Sequence, residues 1–284
     1  MPYGIANRKG QPGPSESEEI VAEAWENGIR EFDTAQDYGT SETVLGQALK
    51  ALGLSQKAGV FTKFHPSLNH LHGQALKEAL SESLERLGLS QLSGILLHRE
   101  KFLDHWNRGL GETLLRFKEE KVVRKIGVSV YRPERALQAL ETEGIDLVQV
   151  PMNLFDRRFL DQGVFGLAER LGKGIYVRSI FLQGLLLMKP EELPEKMAFA
   201  KSILKNLDSV CRELVMERPE LALLYIKSAA PRASVVFGAE SVSQLKQNIS
   251  CWKRDVDPSL PKRIHMVFGS VDDRILNPAL WPPH

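Results

Sequence analysis

Seven short apolar or β-branched runs recur along the chain, each followed by a longer amphipathic stretch. They are Gly28–Asp33, Val60–Phe64, Gly94–His98, Lys125–Ser129, Leu147–Val150, Gly174–Ser179 and Ser234–Phe237. Between them, Ser17–Glu26 sets Ile20, Val21 and Ala24 on one stripe, and Gly73–Leu87 does the same with Leu76, Ala79, Leu80, Leu84 and Leu87. That spacing is the 3.6-residue period of a helix with one buried face. Ile95-Leu96-Leu97 and Leu147-Val148-Gln149-Val150 do not alternate with polar residues, as expected of parallel strands covered on both faces.

Strand then helix, repeated this often, predicts an α/β fold with a parallel sheet, and seven or eight such units favour a closed (β/α)8 TIM barrel. A doubly wound open sheet is the competing architecture. It wants a glycine-rich turn after its first strand, and the chain contains no G-x-G-x-x-G. A chain of 284 residues is expected to form one barrel domain spanning residues 1–284. The beginning fits least well: Met1–Asn7 is too short and too broken for a strand, so the first β-strand is expected to be missing or incomplete, leaving two sheet edges unpaired. Arg8–Ser15, with Gly10, Pro12, Gly13 and Pro14, reads as a loop, with Ser15 or Ser17 capping the helix that follows.

Charge and cysteine usage narrow the partners. Lys+Arg 37 against Asp+Glu 36 gives a net charge of +1, so no long-range field selects nucleic acid or an anionic membrane. No apolar run approaches the ~20 residues of a membrane helix, and the polar start has no signal-like segment. The two cysteines, Cys211 and Cys251, are far apart and match no disulfide framework or zinc spacing. A cytoplasmic protein acting on a small molecule, of undetermined oligomeric state, is the expectation. His70-x-His72 lacks a third ligand at suitable spacing and reads as a surface loop, not a metal site.

In a parallel barrel the active site forms where the C-terminal ends of the strands meet, so the polar residues that close each run are the ones to weigh. The Gly28 run ends in Asp33 and continues to Tyr38, the next ends in Thr62-Lys63, and the third in His98. Together these four types make sense. A phenol, with a pKa near ~10, must become a better acid before it can protonate a carbonyl oxygen at neutral pH, and a buried ammonium beside it does that. Asp33 would keep Lys63 charged and oriented, and His98 would donate a hydrogen bond to the substrate oxygen. Taken singly, each has a plainer reading: Asp33 as a helix cap, Tyr38 as a packed aromatic, Lys63 as an exposed strand end, His98 as a satisfied polar group.

Phe32-Asp33-Thr34-Ala35-x-x-Tyr38-Gly39-x-Ser41-Glu42-x-x-Leu45-Gly46 resembles the signature of the aldo-keto reductase superfamily. The resemblance continues through Thr62-Lys63, Leu97-His98, Gly127-Val128-Ser129, Gln149, Arg178-Ser179 to Gly184, and Phe237-Gly238-Ala239 to Asn248, covering the chain from about Tyr3 to Asn248. It implies a catalytic tetrad of Asp33, Tyr38, Lys63 and His98 with Tyr38 as general acid. It implies that Ser129 and Gln149 hold a nicotinamide carboxamide, that Ser179, Leu182 and Gly184 lie along the pyrophosphate, and that Gly238, Glu240, Gln244 and Asn248 surround the adenosine end. The helix after Ser241 is expected to present its N-terminus there.

The chain departs from the superfamily pattern in places. Val130 stands where many members have Asn, removing one carboxamide hydrogen bond. Arg178 replaces the aromatic that stacks on the nicotinamide, and its cation could instead grip an anionic substrate or a cofactor phosphate. Arg178-Ser179-Ile180-Phe181-Leu182-Gln183-Gly184 resembles a bacterial branch associated with surface-sugar or nucleotide-sugar metabolism, which implies a sugar-like carbonyl. Superfamily habit implies NADPH as cofactor, whereas a carboxylate at Glu240 would repel a 2'-phosphate and suit NAD. The expectation is an oxidoreductase that reduces an aldehyde or ketone to an alcohol, with NADP first and NAD as the alternative. Two other readings stay open: a non-catalytic or regulatory cofactor-binding member of the fold, and a lyase or epimerase using Lys63 and His98 without nicotinamide. The Pro-rich stretch Asp255–His284 reads as unpatterned.

Overall fold

The computed structural model describes residues 12–282. Seven strands form one sheet in chain order: β1 (Glu31–Asp33), β2 (Gly59–Lys63), β3 (Leu92–Leu97), β4 (Val123–Ser129), β5 (Leu147–Pro151), β6 (Gly174–Arg178) and β7 (Ser234–Val235). Among the described residues, twelve α-helices are interleaved: α1 (Pro14–Glu26), α2 (Ser41–Ala51), α3 (Gly73–Leu87), α4 (Leu110–Glu119), α5 (Pro133–Glu141), α6 (Arg158–Asp161), α7 (Val164–Leu171), α8 (Lys201–Leu214), α9 (Arg218–Ala229), α10 (Val242–Lys253), α11 (Leu260–Val267) and α12 (Asp273–Leu276). This is the architecture of the (β/α)8 barrel. All seven predicted strands are present, with no end shifted by more than three residues. The expected lack of a first strand concerns Met1–Asn7, which lie outside the described residues.

The chain groups into two compact units, one of residues 12–150 and 162–176, the other of residues 151–161 and 177–282. In the first, β1 to β5 pair parallel, each with the next, in registers that set Asp33 beside Phe61, Lys63 beside Leu96 and Ser129 beside Gln149. Ile95, Leu96, Leu97, Val128, Val148 and Val150 are buried, which accounts for their unbroken apolar runs. Tyr176 of β6 donates from its hydroxyl to the Glu31 carboxylate of β1 at 2.9 Å. Helices α2 and α3 approach so closely that a Cβ at Gly46 would lie 2.5 Å from the Arg86 carbonyl oxygen and 2.7 Å from the Leu87 Cα. Glycine is therefore required at that point of the motif.

Three local expectations are corrected. Pro14 opens α1 and Gly13 sits at the cap, so Ser15 and Ser17 lie inside the helix; Ser17 donates back to the Gly13 carbonyl at 2.9 Å instead of capping. Asp255–His284 is not unpatterned: it holds α11, α12 and a 3₁₀ turn at Pro278–Leu280. His70 is not on a surface loop. It is buried and stacks on Phe102 with ring centroids 3.4 Å apart, and burial pushes its imidazole below the ordinary 6.5, with His105 and Lys101 adding to the effect. No helix among the described residues is long and apolar enough to cross a membrane.

In the second unit, α9 is buried on every face from Glu220 to Ile226 and has no amphipathic stripe, as a helix inside a core should not. The Val236 amide donates to the Val177 carbonyl at 2.8 Å, carrying the strand pairing from β6 to the β7 edge.

Candidate active site

Asp33, Tyr38, Lys63 and His98 come together in the first unit. Lys63 closes β2 as one of the most deeply buried polar side chains, at 1 % exposure, and its ammonium lies 2.5 Å from the Asp33 carboxylate and 2.9 Å from the Thr34 carbonyl. Burying an ammonium is expensive unless a partner compensates it, and Asp33 supplies that partner. The other Asp33 oxygen accepts from the Gln149 amide at 3.0 Å, so both carboxylate oxygens are held. The Lys63 Nζ stands 5.3 Å from the Tyr38 ring centre, and the Tyr38 and His98 rings meet edge to face at 5.7 Å.

The loop that carries Tyr38 is tied at both ends. Its Thr34 and Gln36 amides donate to the Phe61 and Lys63 carbonyls of β2 at 2.8 and 3.1 Å, and Ser41 donates back to the Tyr38 carbonyl at 3.2 Å. The Gln36 side chain donates to the Ala79 carbonyl and the Ser83 hydroxyl of α3, both at 2.8 Å, and accepts from the His65 amide. Gln36 fell on an unassigned position of the motif, and its bracing role went unread because its partners lie 43 and 47 residues away. Asp33 does not cap α2, whose cap position is Thr40.

Ser129, the last residue of β4, and Gln149, in the middle of β5, are both buried and are register partners. Val130 is fully buried, its amide donating to the Gln149 carbonyl at 3.0 Å, so an apolar side chain occupies the position where superfamily members place Asn. A hydroxyl and a carboxamide paired across β4 and β5, the latter beside a carboxylate, fit the donors and acceptors of a nicotinamide carboxamide.

The remaining sequence candidates belong to the second unit. Arg178 ends β6 and donates to its neighbour Ser179 at 3.1 Å. Ser179, Leu182 and Gln183 have φ of 60°, 47° and 51°, and Gly184 has 88°, a run of left-handed backbone that is strained for the three non-glycine residues. Asn153 steadies the start of this run by donating to the Ser179 carbonyl at 3.3 Å. Helix α10 begins as expected: Ser241 caps it by accepting from the Gln244 amide at 3.2 Å. The Gln244 side chain accepts from the Glu240 amide at 2.8 Å, Asn248 is buried on the helix, and a Cβ at Gly238 would meet nothing within 4 Å. The N-terminus of α10 thus forms behind an open glycine, an arrangement suited to anions.

A model described as "Aldo/keto reductase family" matches residues 3–266. Two curated proteins are similar over most of their length. One is an uncharacterized oxidoreductase, YqkF, of Bacillus subtilis, 28% identical over 252 residues, with 81% of this chain and 80% of that protein covered. The other is an NADH-specific methylglyoxal reductase of Escherichia coli, 25% identical over 265 residues, with 82% and 81% covered. Among solved structures, the holo form of aldo-keto reductase AKR11C1 from Bacillus halodurans superposes with a TM-score of 0.76 at 25% identity, covering 90% of this chain and 88% of that one. An aldo/keto reductase from Brucella melitensis shares the fold at a TM-score of 0.67 and 20% identity, with 90% and 91% covered.

Proposed function

The chain belongs to the aldo/keto reductase family, and from that premise we propose that it reduces an aldehyde or ketone to an alcohol, with Tyr38 as the proton donor. The observation that carries this is the convergence of the Asp33–Lys63 pair with Tyr38 and His98. A non-catalytic member of the fold would have no use for a fully buried ammonium held by a carboxylate and a backbone carbonyl beside a phenol.

A bound nicotinamide cofactor supplies the hydride. The Tyr38 hydroxyl gives its proton to the carbonyl oxygen, and the Lys63 ammonium, kept charged by Asp33, stabilises the phenolate left behind. His98 donates a hydrogen bond to the same oxygen and so favours the charge that develops there. Gln149 has two amide hydrogens; one goes to Asp33 and the second is available to the cofactor carboxamide. Ser129 joins Gln149 in that role. Arg178, Ser179, Leu182 and Gly184 would hold the pyrophosphate, and Gly238, Glu240, Gln244 and Asn248 the adenosine end.

Between the two dinucleotides, the superfamily habit of NADPH is opposed by the carboxylate of Glu240 at the start of α10, which repels a 2'-phosphate and accepts from a ribose hydroxyl. The relative whose name specifies NADH points the same way. We place aldehydes, ketones and sugar-like carbonyls as substrates, and the cytoplasm as the site of action of a chain that forms one barrel domain. Tyr38→Phe tests the reading: kcat is expected to fall at least ~10²-fold while nicotinamide binding, followed by quenching of tryptophan fluorescence, stays unchanged. Full turnover in that variant would remove Tyr38 from its role.

A further inference from the structure

We propose that Glu42 is a positioning residue for this reaction: its buried carboxylate sets the placement of Tyr38 relative to Lys63 by tying the start of α2 to β2 and α3. The proposal rests on the catalytic reading of Tyr38 and Lys63. Glu42 is 1 % exposed. One of its oxygens accepts from the Thr62 hydroxyl at 2.6 Å and the other from the Arg86 Nε at 2.7 Å, so both ends of the carboxylate are committed.

Thr62 and the turn that carries Glu42 connect to the catalytic pair through the chain. Thr62 is the residue before Lys63 on β2, and successive strand side chains point to opposite faces. A hydrogen bond to Thr62 therefore holds β2 from the face opposite the ammonium. Glu42 lies in the first turn of α2, one residue after Ser41, whose amide donates to the Tyr38 carbonyl and whose hydroxyl accepts from Thr34 at 2.9 Å. Arg86, near the end of α3, fixes the same carboxylate from the third side.

A carboxylate is an expensive way to fill this junction if filling is all that is needed. An apolar side chain of similar volume would pack α2 against α3 at equal or better stability, and Gly46 already sets how closely the two helices approach. Hydrogen bonds differ from apolar packing in being directional. One bond ties α2 to β2 and the other ties it to α3, which together fix the offset of α2, and the Tyr38 loop leads from β1 into α2 while hydrogen-bonded to β2. Misplacing a reacting group by about 1 Å can lower a rate ~10²-fold, so an offset of that size is worth fixing.

The test uses Glu42→Gln and Thr62→Val in the full chain, with two measurements. In the cofactor-free protein labelled with ¹³Cζ-tyrosine, the Tyr38 signal, assigned by its loss in Tyr38→Phe among the five tyrosines, reports how readily the phenol ionises. In the reaction, kcat and the KM for nicotinamide cofactor are measured separately. Expected are a Tyr38 titration moved to higher pH in both variants and a kcat lowered about tenfold or more, with the cofactor KM unchanged. An unmoved titration and unchanged kcat beside a lowered melting temperature would make Glu42 a brace of the fold and overturn the proposal. Should Glu42→Gln fail to fold, Thr62→Val, which removes only one hydroxyl, decides alone. Failure of the catalytic reading is seen separately, as an active Tyr38→Phe.

Discussion

The cluster around Lys63 and the segment from Arg178 to Asn248 are held by different means. Around Lys63, side chains hold one another: Asp33 is fixed by Lys63 and Gln149, and Glu42 by Thr62 and Arg86, most of them buried. From Arg178 to Asn248 the backbone does the work, through left-handed residues 179 and 182–184, the cap at Ser241 and the Glu240–Gln244 turn. Charges that must act on a reacting atom are set in place beforehand, because a misaligned ammonium loses its effect. In the proposed cofactor reading, the backbone turns of the second segment are what would present amides to a long anionic ligand.

The largest effect expected to sharpen this contrast is at Lys63. Lys63→Met leaves Asp33 without its cation, and stability should fall by about 3 kcal/mol, read from the urea midpoint at constant m, together with loss of turnover. A stable Lys63→Met protein would mean that the pair is not held as tightly as its burial indicates. Next comes Glu240→Lys, which should move the NADPH-to-NADH ratio of kcat/KM about tenfold or more toward NADPH, roughly 1.4 kcal/mol, and leave the melting temperature nearly unchanged. An unaltered ratio would place the adenosine end elsewhere.

A substitution of opposite sign follows. Gln183, exposed at φ 51°, is strained where glycine is not, so Gln183→Gly should be neutral or stabilise by up to about 1 kcal/mol in thermal melts, whereas no truncation around Lys63 should do so. The smallest effect concerns His70 in the first unit. Burial holds its imidazole below 6.5 in the folded state, so below that pH the unfolded chain takes up a proton that the folded chain does not. Its contribution is complete above about pH 6.5 and declines as pH falls toward the lowered value. His70→Leu should therefore flatten the unfolding free energy between pH 7.5 and 5.5 relative to the parent chain, as measured by urea titration. Parallel profiles would rule this out.

Unlike the two regions, the two cysteines do not differ in kind: both are free, and burial raises both thiols, Cys211 to about 11. Neither is set up as a nucleophile at neutral pH.

Much of this protein is legible along the chain because its strands are short, consecutive and paired in order, so an apolar run and the polar residue that ends it already say where a side chain emerges. Asp33, Lys63 and His98 could be found in that way, and Tyr38 from its distance to Asp33. The partners of Gln36 and Glu42 could not, since hydrogen bonds spanning 20 to 47 residues leave no mark on local periodicity. Likewise His70 looked like a loop residue until its stacking on Phe102 placed it in the core. The amino-acid sequence by itself determined the repeating strand–helix order, which residue types close the strands and the family, because these depend on side-chain type and on spacing. Only the tertiary structure decided which carboxylate neutralises which cation and which backbone turns left-handed, because those outcomes depend on close approach between residues far apart in the chain.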